Sequence, residues 1–297
     1  MSVDSQVTTL SAAFDDYPHT QPLKRGEIHS PRIAFAFSDI KPANRFFKPM
    51  VRELKFDISE MAIATYLQAK AYGKPLTLIP ATIMGRFQHG TILCYAARGT
   101  LTPADLPGKR VGVRSYSQTT VTWVRGMLAE EHGVDWSKST WVTFEDGHLA
   151  EYKDPPNCER AAEGKEMMAM LGSGEVDAAV VGNEGADPKF KTLVPDPETA
   201  NEAWCKRHGA VPVNHLVVVK SSLSQSNPEA VAELYRLLVE AKKAAGAPKG
   251  RDMLPFGYDA LRPSLELAIE YAERQKLLPR KLTVDELFDE RTKALKP

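Results

Sequence analysis

Cysteine is scarce in this chain: Cys94, Cys158 and Cys205 are odd in number, far apart, and form no CxxC pair. That excludes a disulfide framework, offers no zinc-ligand spacing, and fits reduced thiols. Runs of about 18 apolar residues are lacking too, so no transmembrane helix is predicted. Residues Met1 to Leu10 are polar, with Asp4 and no basic stretch ahead of an apolar one. They do not read as an export signal, and a cytoplasmic location is expected. Charge of one sign is missing: 38 Lys and Arg balance 38 Asp and Glu. Neither nucleic acid nor a membrane surface is therefore expected as a partner. There is no glycine-rich phosphate loop, because Gly172-Ser173-Gly174 lacks the rest of the dinucleotide fingerprint, and no organic cofactor is implied.

What is present suits a globular α/β protein. The 297 residues are 43% apolar, enough for one large domain or two of ordinary size. Val7 to Phe14 reads as a first strand, and a Pro/Lys/Arg-rich loop follows around Pro18 to Gly26. Ile33 to Phe37 is a buried strand ending at Ser38-Asp39. A helix from about Pro42 carries Phe46, Met50 and Leu54 on one face. Phe56 to Met61 and Leu76 to Pro80 are further strands, with a helix between them that runs to about Tyr72. Strand and helix alternate, which argues a mainly parallel sheet with helices on its faces.

The stretch Thr102 to Gly126 organises the middle of the chain. Thr102-Pro103-Ala104-Asp105 is a capped turn, Arg110 to Val113 a short strand, and Val121, Val124 and Leu128 mark one helix face. Between strand and helix lie Tyr116, Ser117, Gln118, Thr119 and Thr120. Polar side chains and free N–H groups at a helix N-terminus form a ready anion site. Further on, Met167 to Leu171 is helical, Val176 to Val181 is a strand, and 184–206 reads as loop with a little helix. His215 to Val219 is a clean strand. The last third is helical, with Asn227-Pro228 as an N-terminal pair and a second helix starting near Pro263.

This layout predicts two α/β blocks, the second inserted in the first: 1–89 plus 217–297, and 90–216. Thr91–Ala96 and Leu216–Val219 are expected as the two crossing strands, side by side, with a cleft between the blocks lined by strand ends and helix N-termini.

Several segments resemble known families. Leu106-Pro107-Gly108-Lys109-Arg110-Val111-Gly112-Val113 and Leu171-Gly172-Ser173-Gly174-Glu175-Val176-Asp177-Ala178 resemble elements of the type 2 periplasmic binding-protein fold. Glu53 to Met61, Ile79 to Gly90, Tyr116 to Gly126 and Gly257 to Phe288 resemble the 4,5-dihydroxyphthalate decarboxylase family. The likeness runs from about Arg32 onward. It implies a two-lobed α/β type 2 periplasmic-binding-protein-like fold with an interdomain cleft. The implied activity is non-oxidative decarboxylation of a hydroxylated aromatic carboxylate, the small-molecule partner. One departure stands out: the family joint reads R-x-F-R-H-S, whereas here Arg86-Phe87-Gln88-His89-Gly90 carries Gln88 and Gly90. A lost guanidinium implies a substrate with one carboxylate fewer, or one placed differently.

Each candidate residue has two readings. His89 and Arg86 could protonate the ring and clamp a carboxylate, or simply brace the joint. Ser117 and Thr119 could donate to a carboxylate, with Tyr116 as a wall, or cap the helix. Arg125 lies further along that helix and reads more as a tie than a ligand. Glu60 could act as acid or base if desolvated, or cap the helix after it. Ser38, with Asp39, ends another strand and has a similar, weaker claim. His215 beside Asn214 would approach His89 if the crossing strands pair, and with Glu60 the two could hold a divalent metal. No HxH or HExxH spacing points to that metal. Glu184 is the acidic candidate of the second block.

Decarboxylation needs donors for a carboxylate, an acid at the ring carbon, and a group for the ring hydroxyl. Arg86, Ser117 and Thr119 suit the first, His89 or Glu60 the second, His215 or a metal the third. A solute-binding protein for an aromatic carboxylate would use the same anion site without turnover. The number of subunits is open, a homo-oligomer included.

Overall fold

The computed structural model describes residues 7–99, 101–182 and 187–297. Its strands, in chain order, are Thr8–Ala13 (β1), Ile33–Phe37 (β2), Ile58–Ala62 (β3), Leu76–Gly85 (β4), Ile92–Tyr95 (β5) and Arg110–Val113 (β6). Thr140–Thr143 (β7), Cys158–Arg160 (β8), Ala178–Val180 (β9), Phe190–Thr192 (β10) and Val213–Lys220 (β11) complete the set. The chain divides into two units. Unit 1 is Met1–Gly85, Val213–Ile269 and Leu278–Pro297; unit 2 is Arg86–Pro212 with Glu270–Leu277. The boundaries fall a few residues before those read from sequence, and a short C-terminal piece belongs to unit 2.

Unit 1 holds a five-stranded sheet in the order β2-β1-β3-β11-β4. β1 runs parallel to β2 and β3, while β11 is antiparallel to both β3 and β4. Every residue of β3 is buried, because helices cover both faces of a central strand; β2 alternates, as an edge strand does. The helix Pro228–Ala244 lays Val231, Leu234, Tyr235 and Leu238 onto this sheet beside Ile58, Ile79 and Val217. Full burial of each such side chain is worth roughly 1.5–3 kcal/mol.

Unit 2 holds a six-stranded sheet, β10-β5-β9-β6-β7-β8. β6 lies parallel to β7 and β9, and β5 is antiparallel to β9 and β10. The helix Thr119–His132 buries Trp123, which meets Trp204 and Tyr271 edge to face, each with ring centroids 5.7 Å away. Gly126 is required by that packing: a Cβ there would come within 2.1 Å of the Tyr271 ring.

Three expectations are corrected. The expected crossing strands do not pair: β11 lies between β3 and β4, and β5 pairs inside unit 2. β4 runs ten residues, to Gly85, and so reaches β11 along its length, whereas β5 is a four-residue strand. Residues 184–206 are expected as loop with a little helix, yet Pro197–His208 is a helix of 12 residues, started by the Asp196 carboxylate accepting from Thr199 N–H. The last long helix begins at Tyr258 rather than near Pro263, which sits inside it.

Candidate active site

In unit 1 the parallel strands β1 and β3 end side by side, where ligands of such sheets usually bind. Glu60 on β3 points there and is fully buried. Its carboxylate has three donors. Tyr17 Oη donates to Oε1 at 2.7 Å, the Asp15 N–H donates to Oε2 at 2.9 Å, and His215 Nδ1 lies 2.5 Å from Oε1. With Glu60 accepting, Nδ1 is the protonated nitrogen and Nε2 is the one left for other work. The His215 ring is held from the side by Phe47, edge to face at 5.1 Å, and its side chain keeps 14% exposure.

The segment after β1 is built around that carboxylate. Thr20 Oγ1 donates to the Asp15 carbonyl at 2.7 Å and accepts the Tyr17 N–H at 2.9 Å, which fixes the turn. Asp15 Oδ2 accepts the Ala43 N–H at 2.8 Å, tying the turn to the helix after β2. Burial and the Glu60 charge push the Tyr17 phenol far above its usual pKa, so it stays a donor. The His19 ring stacks on Tyr17 with centroids 5.4 Å apart and planes at 7°. Ser38, at the end of β2, uses its hydroxyl to accept the Ile40 N–H at 3.2 Å; Asp39 is exposed.

In unit 2 the expected anion site has the expected backbone. Gln118 is the N-cap of Thr119–His132 and forms no side-chain cap bond. Ser117 and Thr119 are buried at this end. Arg86 donates from Nη1 to the Gly182 carbonyl at 2.8 Å and from Nη2 to Thr120 Oγ1 at 2.7 Å. Tyr116 is fully buried beneath Arg125, whose guanidinium lies 3.7 Å from the ring centroid and donates to the Tyr116 carbonyl at 2.7 Å. Trp141 and Trp136 complete an aromatic box around Arg125, and burial lowers the guanidinium pKa. Both residues are interior groups of unit 2.

His89 is held at both ring nitrogens. Asn201 Oδ1 lies 2.7 Å from Nδ1 and Glu131 Oε2 lies 2.7 Å from Nε2. The ring is thus held between an amide oxygen and a carboxylate oxygen, both acceptors. Burial pushes the Glu131 carboxyl up, but His89 and Arg207 more than offset it, and its pKa is lowered. His89 and His215 thus belong to separate networks in separate units. Glu184 lies outside the described residues. Among the described residues no group of three or more His, Cys, Asp or Glu side chains is placed to hold a metal ion, and no helix is long and apolar enough to cross a membrane.

No family model matches the chain. It is 29% identical over 283 residues to a 4,5-dihydroxyphthalate decarboxylase of Comamonas testosteroni, across 87% of this chain and 83% of the relative. It is 34% identical over 209 residues to the enzyme of the same name from Pseudomonas putida, across 66% of this chain and 80% of the relative. The chain belongs to the 4,5-dihydroxyphthalate decarboxylase family. As a member of that family it is a carboxy-lyase. This decarboxylase chain also aligns with the periplasmic aliphatic sulphonate binding protein of Escherichia coli. The TM-score is 0.62 at 13% identity, over 95% of this chain and 97% of that one, which shows the two-lobed α/β fold alone.

Sequence reasoning about this decarboxylase-family chain singled out Glu60 and His215 but passed over Tyr17, Asp15 and His19. Asp15 and Tyr17 lie between the expected first strand and the expected Pro/Lys/Arg-rich loop, and His19 lies in that loop. The available signal was the position of this segment: it follows the carboxyl end of a parallel strand, and His and Tyr beside two aspartates are unusual cargo for a plain turn.

Proposed function

We propose that the chain decarboxylates a hydroxylated aromatic carboxylic acid of the 4,5-dihydroxyphthalate type, with His215 as the proton donor and Glu60 as the group that orients and charges it. The observation that carries this reading is the 2.5 Å contact between His215 Nδ1 and the fully buried Glu60 carboxylate. A carboxylate fixed on Nδ1 sets the ring orientation and stabilises the imidazolium, leaving an Nε2 proton to give away. The ring carbon bearing the leaving carboxylate takes that proton, helped by electron donation from a ring hydroxyl, and a dienone-like intermediate forms. The carbon–carbon bond then breaks, its electron pair restores the aromatic ring, and carbon dioxide departs. At the start of Thr119–His132, Ser117 and Thr119 are side chains of the kind that donate to a carboxylate.

His89 is the weaker candidate for the acid. Its two nitrogens already have partners in Asn201 and Glu131, so neither is left to face a substrate. The Gln88 departure favours an acid with fewer or differently placed carboxylates than the phthalate.

The test is turnover. Purified protein is mixed with a panel of hydroxybenzoates and hydroxyphthalates while carbon dioxide release and ring absorbance are followed, with and without a chelator. Release from one acid, lost in His215→Ala and retained in chelator, is the expected result. Tight binding of a panel member without release overturns the enzyme reading and leaves a solute-binding protein.

A further inference from the structure

His19 was not among the residues that sequence reasoning selected, and the relay just described does not use it. Its ring is 9% exposed, and its Nε2 is buried with no hydrogen-bond partner. A buried imidazole nitrogen is normally satisfied, so an orphan one calls for an explanation. The ring is not loosely placed. It stacks on Tyr17, and a hydrogen bond to the Ile83 main chain, on β4, also holds it. With Nε2 unpartnered, that bond leaves from Nδ1; a carbonyl accepts it, so Nδ1 carries the proton and Nε2 presents a lone pair.

The charged and titratable groups around the ring have one arrangement. Glu60 on β3, bonded by Tyr17, and Lys242 of the helix Pro228–Ala244 are the anion and the cation that act electrostatically on it. Burial outweighs the other influences and lowers the pKa of the ring, which keeps it neutral. Lys242 is itself occupied by Asp252 at 2.6 Å, and Tyr17 by Glu60, so neither can fill Nε2. A neutral, oriented acceptor is thus held against Tyr17, whose hydroxyl bonds Glu60, within one unit.

We propose that His19 is a specificity-determining residue of the decarboxylase site: its Nε2 accepts a hydrogen bond from a phenolic hydroxyl of the substrate. This rests on the decarboxylase reading for the identity of the substrate, but not on turnover. The hydroxyl is the donor that a lone pair in this position lacks. Accepting from it raises the electron density of the ring, which is the help that protonation of the ring carbon requires. Sites built to bond a hydroxyl discriminate strongly against analogues without it, since the protein acceptor is then left bare.

The experiment compares equilibrium binding of matched pairs, a hydroxylated benzoate or phthalate and the same acid without its hydroxyl, to the full chain by calorimetry. Wild type is expected to prefer the hydroxylated member by about tenfold or more, equal to about 1.4 kcal/mol. His19→Phe keeps the stacking surface and removes the acceptor; it should bind the plain acid as wild type does and lose the preference. His19→Gln, which retains an acceptor, should recover part of it. The inference is overturned if wild type shows no preference, or if His19→Phe keeps it. Equal weakening of both ligands in His19→Phe, with a lowered Tm, assigns the ring to structure and also overturns it. Failure of the decarboxylase reading looks different: the preference persists and no carbon dioxide is released.

Discussion

His89 and Glu131 meet at 2.7 Å, Nε2 to Oε2, with the histidine side chain 1% exposed and the glutamate side chain 11% exposed. The pair joins the turn after Arg86 to the end of the helix Thr119–His132, and Asn201 takes the other ring nitrogen. Removing His89 leaves Asn201 without its ring partner and Glu131 with Arg207 alone, 3.1 Å away. His89→Ala should therefore destabilise unit 2 by about 1–3 kcal/mol, read as a lower urea midpoint. Wild-type stability with abolished turnover would instead place His89 in the chemistry.

Glu60→Gln keeps size but replaces the acceptor with an amide, and His215 loses the charge that stabilises its imidazolium. His215→Ala should lower kcat by about 10²–10⁴-fold, and Glu60→Gln should fall within the same range. The double variant should be little worse than the worse single one, because the two act as a unit. Additive losses in steady-state kinetics would show that they act separately.

Tyr17→Phe removes a 2.7 Å bond to a fully buried carboxylate. A lost bond to a charged group costs about 1.5–3 kcal/mol, so unit 1 should melt earlier. The kcat should also fall, because Glu60 loses part of its orientation. Unchanged stability would mean that the hydroxyl had no net role.

Gly126→Ala should be among the most damaging small changes, since its Cβ would lie within 2.1 Å of the Tyr271 ring. Overpacking of this kind typically costs about 1–3 kcal/mol. Combining it with Tyr271→Leu should restore part of the loss in chemical denaturation. No rescue would mean that the ring is not the obstacle.

Glu233 gives a pH prediction. Paired with Arg236, whose Nη2 donates to it at 2.7 Å, its carboxyl is held down to about 2 from an ordinary 4.5. A depressed carboxyl stabilises fully above its unfolded pKa and loses that contribution as pH falls through the folded one. The loss should therefore appear between about pH 4.5 and about pH 2. Arg236 is 43% exposed, so screening limits the effect to roughly 1 kcal/mol. In acid titrations of stability, Glu233→Gln should show a correspondingly shallower decline.

Much of the fold was legible because period and punctuation agreed. Ile33–Phe37 and Arg110–Val113 are apolar runs bounded by turn residues, and both are strands over those residues. β7 and β8 went unread, since TWVT and CER are short and lack alternation. The helix at Pro197 was hidden by its composition, although Asp196-Pro197 is a start signal of the same kind as Asn227-Pro228. Of the site, Glu60 and His215 were legible and were grouped, with His89, as candidate ligands of a metal through a pairing of crossing strands that does not form. What brings the two together is β11 pairing with β3, a relation between residues 155 apart in sequence. Tyr17 and His19 gave no periodic signal, since a turn has none.

β11 is made late in the chain yet lies between β3 and β4 in the sheet. While the protein is being synthesised, those two strands wait with an empty place between them until residues 213–220 emerge. The stretch 86–212, most of unit 2, is complete before then. The expected order of assembly is that unit 2 takes shape first and unit 1 closes last. His215 reaches Glu60 with that closing strand, so the pair forms only when the sheet is whole.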